Sequence, residues 1–275
     1  MIQKLTLQAE LVRKRTLEII YGAKAGHTGG SLSAIEVLTA LYFKVLKLDP
    51  LRPDWPERDR FVMSKGHSVE ALYCVLSARG FFPDAVLDTF GQFNSPLFGH
   101  PTRKVPGVEL NSGALGHGLS VAVGMALAAR MDKSSYRCYA LMGDGEQGEG
   151  SVYEAAMAAG HYRLDKLTAI IDRNHLQISG KTEDVMTLEP MAERWKAFGW
   201  EVFETDGNDI AALLDCFERS EKVKDKPKLI ISHSIKGKGV SYMENIAKWH
   251  HGVPNSEQFE LAMKEIDSRI EKITH

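Results

Sequence analysis

Apolar and polar positions along this chain follow two different patterns, with a change near residue 115. In the first part, apolar residues recur three and four positions apart, which predicts amphipathic helices over residues 5–20, 33–43 and 70–79. A glycine cluster at 26–30 marks a turn after the first helix. Residues 81–114 show little periodicity and are rich in Gly, Pro, Asn and Phe, so they predict a long ordered loop, and loops of that length are usually functional.

From residue 115 onwards, helical and strand patterns alternate regularly. The predicted helices cover residues 115–130, 151–160, 190–198 and 209–223, with a closing amphipathic helix at the end, and the predicted strands cover residues 137–142, 167–171, 200–204 and 228–232. Continuous apolar runs such as Leu167–Ile171 are typical of parallel strands that are buried on both faces. The pattern predicts an α/β fold with a doubly wound, mostly parallel sheet, formed by a single domain over residues 1–275 with a helical and loop region at 1–114.

The composition narrows the class of protein. Of 275 residues, 34 are Lys or Arg and 36 are Asp or Glu, and the net charge of −2 argues against a nucleic-acid binder that neutralises phosphates. Cys74, Cys138 and Cys216 are widely spaced in apolar segments, so we expect neither a disulfide framework nor a zinc site. No apolar run reaches the ~18 residues of a membrane span. We therefore expect a cytoplasmic protein that binds no membrane.

Polar, chemically reactive segments follow two neighbouring predicted strands. Residues 143–150 (GDGEQGEG) follow the first of these strands, and residues 172–176 (DRNHL) follow the next. The first segment matches the glycine pattern of a dinucleotide-binding turn, with Asp172 as a ribose-binding acid, so an NAD-binding dehydrogenase is one interpretation. However, the three carboxylates of this segment would repel an uncompensated pyrophosphate at short range.

A divalent cation removes this repulsion. The Asp144 carboxylate, the Asn174 side-chain oxygen and the Leu176 carbonyl can supply hard oxygen ligands to Mg²⁺, with Ca²⁺ or Mn²⁺ as alternatives. Gly143 and Gly145 let the backbone approach a ligand closely, and the following helix can direct its N–H groups at a phosphate. We therefore favour a site for a cation and a diphosphate over a plain glycine turn.

The pairing of these segments resembles the thiamine diphosphate signature, in which Gly-Asp-Gly precedes a metal-binding asparagine; here 28 residues separate Gly145 from Asn174. Five further segments resemble those of transketolase and occur in the same order. They are Ala25-Gly26-His27, Ser64-Lys65-Gly66-His67, Phe98-Gly99-His100-Pro101, Gly113-Ala114-Leu115-Gly116-His117-Gly118 and Lys236-Gly237-Lys238-Gly239, the last followed by Trp249-His250-His251-Gly252. The chain is thus similar to the transketolase family from about residue 10 to 255.

The resemblance implies roles for individual residues. Cofactor contacts are implied for Lys65, His67, Gly113, Ala114, Leu115, Gly143, Asp144, Gly145, Glu146, Asn174, Lys236 and His250. His27 and His100 would line the substrate channel with His250 or His251, hold sugar hydroxyls and move protons. Glu149 matches an acid that faces its symmetry mate across a dimer axis, and helix capping is its alternative role. Arg173 departs from the family, which usually has a first asparagine there.

The resemblance also implies an assembly. A full transketolase has a second domain that carries a cofactor-binding glutamate, and 275 residues do not accommodate it. We therefore expect the N-terminal, diphosphate-binding subunit of a split transketolase, active with a separate C-terminal subunit in an α₂β₂ assembly. It would move a two-carbon ketol unit from a ketose phosphate to an aldose phosphate. The alternatives are the same architecture acting on a sulfo-sugar or branched pentulose phosphate, and a synthase of the deoxyxylulose-phosphate type.

Overall fold

The computed structural model describes residues 1–275. The helices are α1 (Ile2–Ala23), α2 (Thr28–Ser33), α3 (Ile35–Ala40), α4 (Val69–Ala78), α5 (Gly118–Met131), α6 (Gly150–His161), α7 (Thr182–Val185), α8 (Met191–Ala197), α9 (Ile210–Glu221) and α10 (Ser256–Thr274). The strands are β1 (Arg60–Met63), β2 (Cys138–Gly143), β3 (Leu167–Arg173), β4 (Glu201–Asp206) and β5 (Lys228–His233). Short 3₁₀ helices occupy Gly66–Ser68, Asp84–Thr89, Gly145–Gly148 and Ala247–His250, and a π-helical turn covers Leu41–Val45.

The five strands form one parallel sheet in the order β1-β2-β3-β5-β4. The register pairs Gly143 at the end of β2 with Asp172 in β3, and Asp172 with Ser232 in β5. Parallel strands carry their carboxyl ends on one edge of the sheet, where ligands of such folds bind. The segments after β1, β2, β3 and β5 therefore meet at this edge. The predicted α/β class and parallel sheet are confirmed.

Side chains alternate across the sheet into two hydrophobic layers. On one face, Phe61, Tyr139 and Ile170 pack in a cluster with buried residues of α1, α3, α4, α9 and α10. On the other face, Val62 and Ile171 pack in a cluster with residues of α5, α6 and α8. Because helices cover both faces, β2 and β3 are buried along their whole length, as their continuous apolar runs predict.

Several elements differ from the sequence predictions, and three of them adjoin the carboxyl edge of the sheet. The pattern does not predict β1, because its four residues are too few for a period to be recognised. Gly29 and Gly30, expected in a turn, lie inside α2. The helix expected from residue 115 begins at Gly118, because Gly116 adopts a left-handed φ of 85° that a helix does not accommodate.

The long segment 81–114 is ordered by contacts with the rest of the molecule. Leu97 and Val105 are buried in the same cluster as α1 and α4. The Tyr73 hydroxyl of α4 donates a hydrogen bond to the His100 carbonyl at 3.1 Å. The predicted ordered loop is thus correct, and it carries His100 to the carboxyl edge of the sheet.

The helices and the cysteines relate to two expectations from the sequence, on membrane spans and on disulfide bonds. None of the helices has both the length and the apolar character needed to cross a membrane. The three cysteines are buried and unpaired.

Candidate active site

A cavity of about 440 Å³ opens at the carboxyl edge of the sheet. Segments that are far apart in the chain line it: His27, Gly30, Lys65, His67, His100, Gly113, Leu115, Gly143, Asp144, Gly145, Glu146, Glu149, Asn174, Leu176, Gln177, Ile178, Ser179, Lys236, His250 and His251. The fold therefore brings together every site residue expected from the sequence except Ala114, which is exposed and lies outside the lining. The volume of the cavity is in the range of small-molecule sites.

Asp144 lies at the end of β2 with only 2% of its surface exposed. Its carboxylate accepts hydrogen bonds from the backbone N–H of Gly145 at 2.8 Å and of His175 at 2.6 Å. The Arg173 guanidinium approaches it to 3.4 Å. Burial, and then the neighbouring Asp172 carboxylate, raise the pKa of Asp144 to about 6. Because these surroundings disfavour the ionised form of Asp144, a cation bound beside the carboxylate would stabilise that form.

Asn174 and Leu176 contribute two more oxygens to the residues that line the same cavity as Asp144. Asn174 is 4% exposed, and its Nδ2 lies 3.2 Å from Oδ2 of Asp172, which leaves Oδ1 to accept from the Leu176 N–H at 3.2 Å. The Leu176 carbonyl accepts from the Lys236 ammonium at 3.1 Å. The carboxylate, the amide oxygen and the peptide carbonyl are all hard donors and line one cavity, so the donor set fits Mg²⁺ or a similar ion.

Lys65, which lines the cavity, forms a buried ion pair with Asp172. The Lys65 ammonium contacts the Asp172 carboxylate and the Gly30 carbonyl, the latter at 2.9 Å. Asp172 also accepts from the Ser33 hydroxyl at 2.6 Å and from Ser234. Burial acts to raise the pKa of Asp172, but Lys65 and these hydrogen bonds bring it below the ordinary value. Asp172 is therefore engaged within the protein, which removes the ribose-binding acid that the dehydrogenase interpretation required.

Glu146 connects three segments of the site. Its carboxylate accepts from the backbone N–H of Gly116 at 2.8 Å, from that of Gly143 at 3.0 Å and from the Ser64 hydroxyl. The residue is 1% exposed. Glu146 is expected to contact the cofactor, but in the structure its carboxylate is hydrogen-bonded within the protein. It joins the segment after β1, the end of β2 and the turn before α5.

Four histidines surround the imidazole of His27. Its ring centroid lies 5.4 Å from His67, 5.8 Å from His100, 5.7 Å from His250 and 4.5 Å from His251. Burial, followed by nearby cationic groups, lowers the pKa of His27 to about 4 and that of His250 to about 3. Both rings are therefore neutral near pH 7 and can accept or donate protons.

A hydrogen bond from Lys236 determines which ring nitrogen of His250 carries the proton. The Lys236 ammonium lies 3.0 Å from Nδ1 of His250, and since an ammonium only donates, Nδ1 accepts and Nε2 carries the ring proton. Burial, and then the Lys65 charge, lower the pKa of Lys236 to about 8. His250 is buried whereas His251 is exposed, and both line the cavity.

His100 and Gly113 show why glycine is needed in the turn that follows the long loop. Gly113 has a φ of 150°, and a Cβ added there would lie 2.9 Å from Cδ2 of the His100 ring. Any larger residue would displace the ring. Glu149 is exposed at the rim of the cavity, at the N-cap of α6, where its side chain makes no capping hydrogen bond.

The sequence did not identify several residues that the structure brings to the site. Gln177, Ile178 and Ser179 line the cavity directly after the expected ligand Leu176, and their proximity to it was the signal available. Arg173, noted as a departure, reaches away from the cavity. Besides Asp144, it binds Thr182 at 2.7 Å, Glu183 at 3.0 Å and Glu189 at 2.9 Å, which anchors the segment after Ser179.

The geometry defines a class of protein: a parallel α/β domain in which oxygen donors, glycine-rich turns and several imidazoles line one cavity at the carboxyl edge of the sheet. Comparison with known proteins gives the family. Residues 5–266 match the profile described as transketolase, thiamine diphosphate binding domain. The chain belongs to the transketolase family and contains the domain of that family that binds thiamine diphosphate.

Relatives of similar length are named as transketolase subunits. The chain is 61% identical over 272 residues to a protein of Phocaeicola vulgatus that is named as one subunit of apulose-4-phosphate transketolase, covering 99% of this chain and 97% of that protein. It is 44% identical over 261 residues to a protein of Clostridium sp. that is named as one subunit of 6-deoxy-6-sulfo-D-fructose transketolase, covering 94% of this chain and 95% of that protein.

Solved transketolases share the fold. A transketolase from Pichia stipitis superposes with a TM-score of 0.90 at 29% identity, covering 98% of this chain and 44% of that one. The enzyme from Leishmania mexicana gives a TM-score of 0.86 at 30% identity, covering 100% and 46%. The chain therefore spans less than half the length of these solved proteins.

Proposed function

We propose that this chain is the diphosphate-binding subunit of a two-chain transketolase that transfers a two-carbon ketol unit from a ketose phosphate to an aldose phosphate. The observation that carries the proposal is that the same cavity is lined by Asp144, Asn174 and Leu176 and by a group of histidines. Oxygen donors suit a cation bound to a diphosphate, and neutral imidazoles suit a sugar with several hydroxyls. The match to the thiamine diphosphate binding domain supports the same cofactor.

The proposed cofactor site consists of two groups of residues. Asp144, Asn174 and Leu176 would hold Mg²⁺ through oxygen atoms, and the N–H groups of the turn at 143–148 would face the diphosphate. Lys65 and Lys236 would add positive charge beside it, and His67 with the turn at 113–115 would contact the rest of the cofactor. When bound, thiamine diphosphate supplies the carbon atom that carries the two-carbon unit.

The proposed substrate site consists of His27, His100, His250 and His251. Nδ1 of His27 is buried and has no hydrogen-bond partner, so it is available to a substrate hydroxyl or carbonyl oxygen. Nε2 of His250 carries a proton and can donate it to an oxygen of the sugar. Because burial lowers both pKa values, each ring is neutral near pH 7, and the imidazolium formed when a ring takes a proton from the substrate would return that proton readily.

We infer that a separate chain completes the site. Three relatives of nearly the same length are each named as one subunit of a transketolase, which supports a partner chain. An α₂β₂ assembly, with exposed Glu149 facing its symmetry mate, is the arrangement we propose. The buried, unpaired cysteines support a reducing compartment such as the cytoplasm.

We propose a branched pentulose phosphate as the donor sugar. Two relatives, at 61% and 45% identity, are named for apulose 4-phosphate, whereas the relative named for 6-deoxy-6-sulfo-D-fructose is 44% identical. The test is an assay of the co-purified chains with apulose 4-phosphate, an unbranched pentulose phosphate and the sulfo-sugar, each with an aldose phosphate acceptor. We expect the highest kcat/KM with apulose 4-phosphate, which leaves a three-carbon phosphate after losing two carbons. Comparable rates with all three donors would contradict the assignment of the sugar.

Asp144→Asn tests the cofactor site. In calorimetry on the co-purified chains, we expect magnesium-dependent thiamine diphosphate binding to weaken by more than about 100-fold, since loss of even an outer partner of a metal ligand costs 10–100-fold. Asp206→Asn is the matched control, because Asp206 ends β4 but is exposed and outside the cavity. Unchanged binding in Asp144→Asn would overturn the proposed function.

A further inference from the structure

Glu70 is a fully buried acid that the proposed mechanism does not use. It lies in the first turn of α4 with 0% of its surface exposed. One carboxylate oxygen accepts from the backbone N–H of His27 at 3.0 Å, and the other accepts from the Ser31 hydroxyl at 2.7 Å. Buried carboxylates are rare unless they are paired, and Glu70 has no lysine or arginine partner.

The carboxylate supports the turn that carries His27. A Cβ added to Gly26 would lie 2.9 Å from the Glu70 oxygen, so the backbone of the turn rests directly on it. His27 is the N-cap of α2, and a negative charge is favourable at a helix N-terminus. Glu70 therefore fixes His27 by accepting a hydrogen bond from the backbone N–H of His27. The ring of His27 lies among the other histidines, and its Nδ1 has no hydrogen-bond partner within the protein.

The surroundings of Glu70 contain few charges. The titratable groups that face it are His27 from the turn, and Tyr73 and Cys74 from its own helix. Charged groups on the other elements around α4 are engaged elsewhere: Arg13 with Glu10 and Glu36, Arg15 with Glu18, Asp84 and Asp88, and Lys65 with Asp172. Burial raises the pKa of Glu70 to about 7, although its hydrogen bonds act to lower it.

Within the function proposed above, we propose that Glu70 is the positioning residue for His27, and that its ionised form holds the turn in the geometry that binds substrate. An ionised carboxylate accepts from both donors. A protonated one has a hydroxyl donor in place of one acceptor, so the bond with Ser31 must reverse its direction or break, and the negative charge beside the N–H of His27 is lost. The turn at 26–31 is then released from α4 as the pH falls, and the His27 ring loses its fixed place.

The test is the pH dependence of the co-purified chains with Glu70→Gln. In the wild type, kcat/KM should fall about tenfold per pH unit below about pH 7 as one group becomes protonated. In Glu70→Gln, we expect a lower maximum, no such fall around pH 7, and an unchanged affinity for thiamine diphosphate, because Glu70 does not line the cavity. A fall that persists with the same midpoint would overturn the proposal.

Ser31→Ala provides a second variant that leaves the carboxylate in place. Removing one donor destabilises the ionised form, so the midpoint should rise by roughly half to one pH unit. An unchanged midpoint would contradict the proposal. Glu154→Gln, on the exposed face of α6, is the control and should reproduce the wild-type profile.

A readout without turnover separates this inference from the proposed function. The readout is the NMR signal of the His27 ring in protein labelled at histidine, assigned by its absence in His27→Asn. In the wild type, its chemical shift should change with pH with a midpoint near pH 7. In Glu70→Gln, this change should be absent. Absence of ketol transfer by the wild-type pair would contradict the proposed function alone. A His27 transition that is identical in both proteins would contradict the role of Glu70 alone.

Discussion

The carboxylate of Glu146 accepts from three donors that belong to three separate segments of the site. It lies among the residues expected to bind the cofactor, yet its bonds go to the protein. A buried acceptor of this kind stabilises the turns around it, and its loss leaves their N–H groups without partners.

Glu146→Gln should therefore destabilise the chain by about 1–3 kcal/mol, because the amide places an N–H₂ group against at least one N–H or hydroxyl donor. Urea unfolding measures this, and thiamine diphosphate affinity should fall in parallel as the three segments loosen. Glu154→Gln, an exposed change on α6, is the control. Equal stability of the two variants would show that Glu146 does not join these segments.

The low pKa of His250 predicts how stability depends on pH. Burial, then the charges of Lys236 and His251, lower its pKa to about 3 in the folded chain, whereas an unfolded histidine titrates near 6.5. Between these values the unfolded chain binds the proton and the folded chain does not. The contribution of His250 is thus retained above about pH 6.5 and lost as the pH falls towards 3.

His250→Asn removes this dependence. Relative to the variant, the wild-type free energy of unfolding should decrease between pH 7 and 5, by less than the limiting ~1.4 kcal/mol per pH unit, because the ring retains partial contact with solvent. Urea unfolding at several pH values measures the difference. Parallel curves for the two proteins would show that His250 titrates normally in the folded state.

The C-terminal helix α10 is attached to the rest of the molecule by a small number of residues. It begins with a capping box between Asn255 and Gln258 and packs along α1, to which Lys14–Asp267 and Glu10–Arg269 ion pairs connect it. Only Ala262 and Ile266 are fully buried along it. The sequence predicts this helix correctly because its apolar stripe is regular.

Ile266→Ala should cost about 2–5 kcal/mol, since it leaves a cavity beneath the helix. Leu261→Ala is the matched control in the same helix, because that side chain is 47% exposed and its loss should change stability by no more than about 0.5 kcal/mol. Urea unfolding of both variants tests this. Equal effects would mean that α10 is held by its ends rather than by its buried stripe.

The molecule as a whole presents its candidate active site at the carboxyl edge of a single sheet. We expect the chain alone to catalyse no ketol transfer, and the C-terminal partner, when added, to restore activity with saturation at equimolar amounts. The reason is that thiamine diphosphate needs groups along its whole length, and the contacts proposed for this chain cover the diphosphate and only part of the remainder, so a partner would supply the others. Turnover by this chain alone would contradict the two-chain assembly.

The sequence predicts the outline of this molecule well where the signal is local. The alternation from residue 115 predicts four of the five strands within a few residues. The family assignment, made from the Gly145–Asn174 pairing together with five further segments, is confirmed. The missed β1 is too short to show a period, and the start of α5 depends on a left-handed glycine. The single domain and the roles of individual site residues stay predictions.

What the amino-acid order alone establishes is the α/β class, the family and most of the residues that gather at the carboxyl edge, because periodicity and motifs are short-range properties of a chain. What only the tertiary structure decides is the state of those residues. The bond from Gly116 to Glu146, the Lys65–Asp172 pair and the support of His27 by Glu70 each join positions at least 30 residues apart. Ionisation depends on burial and on neighbours in space, and neither exists until the chain has folded.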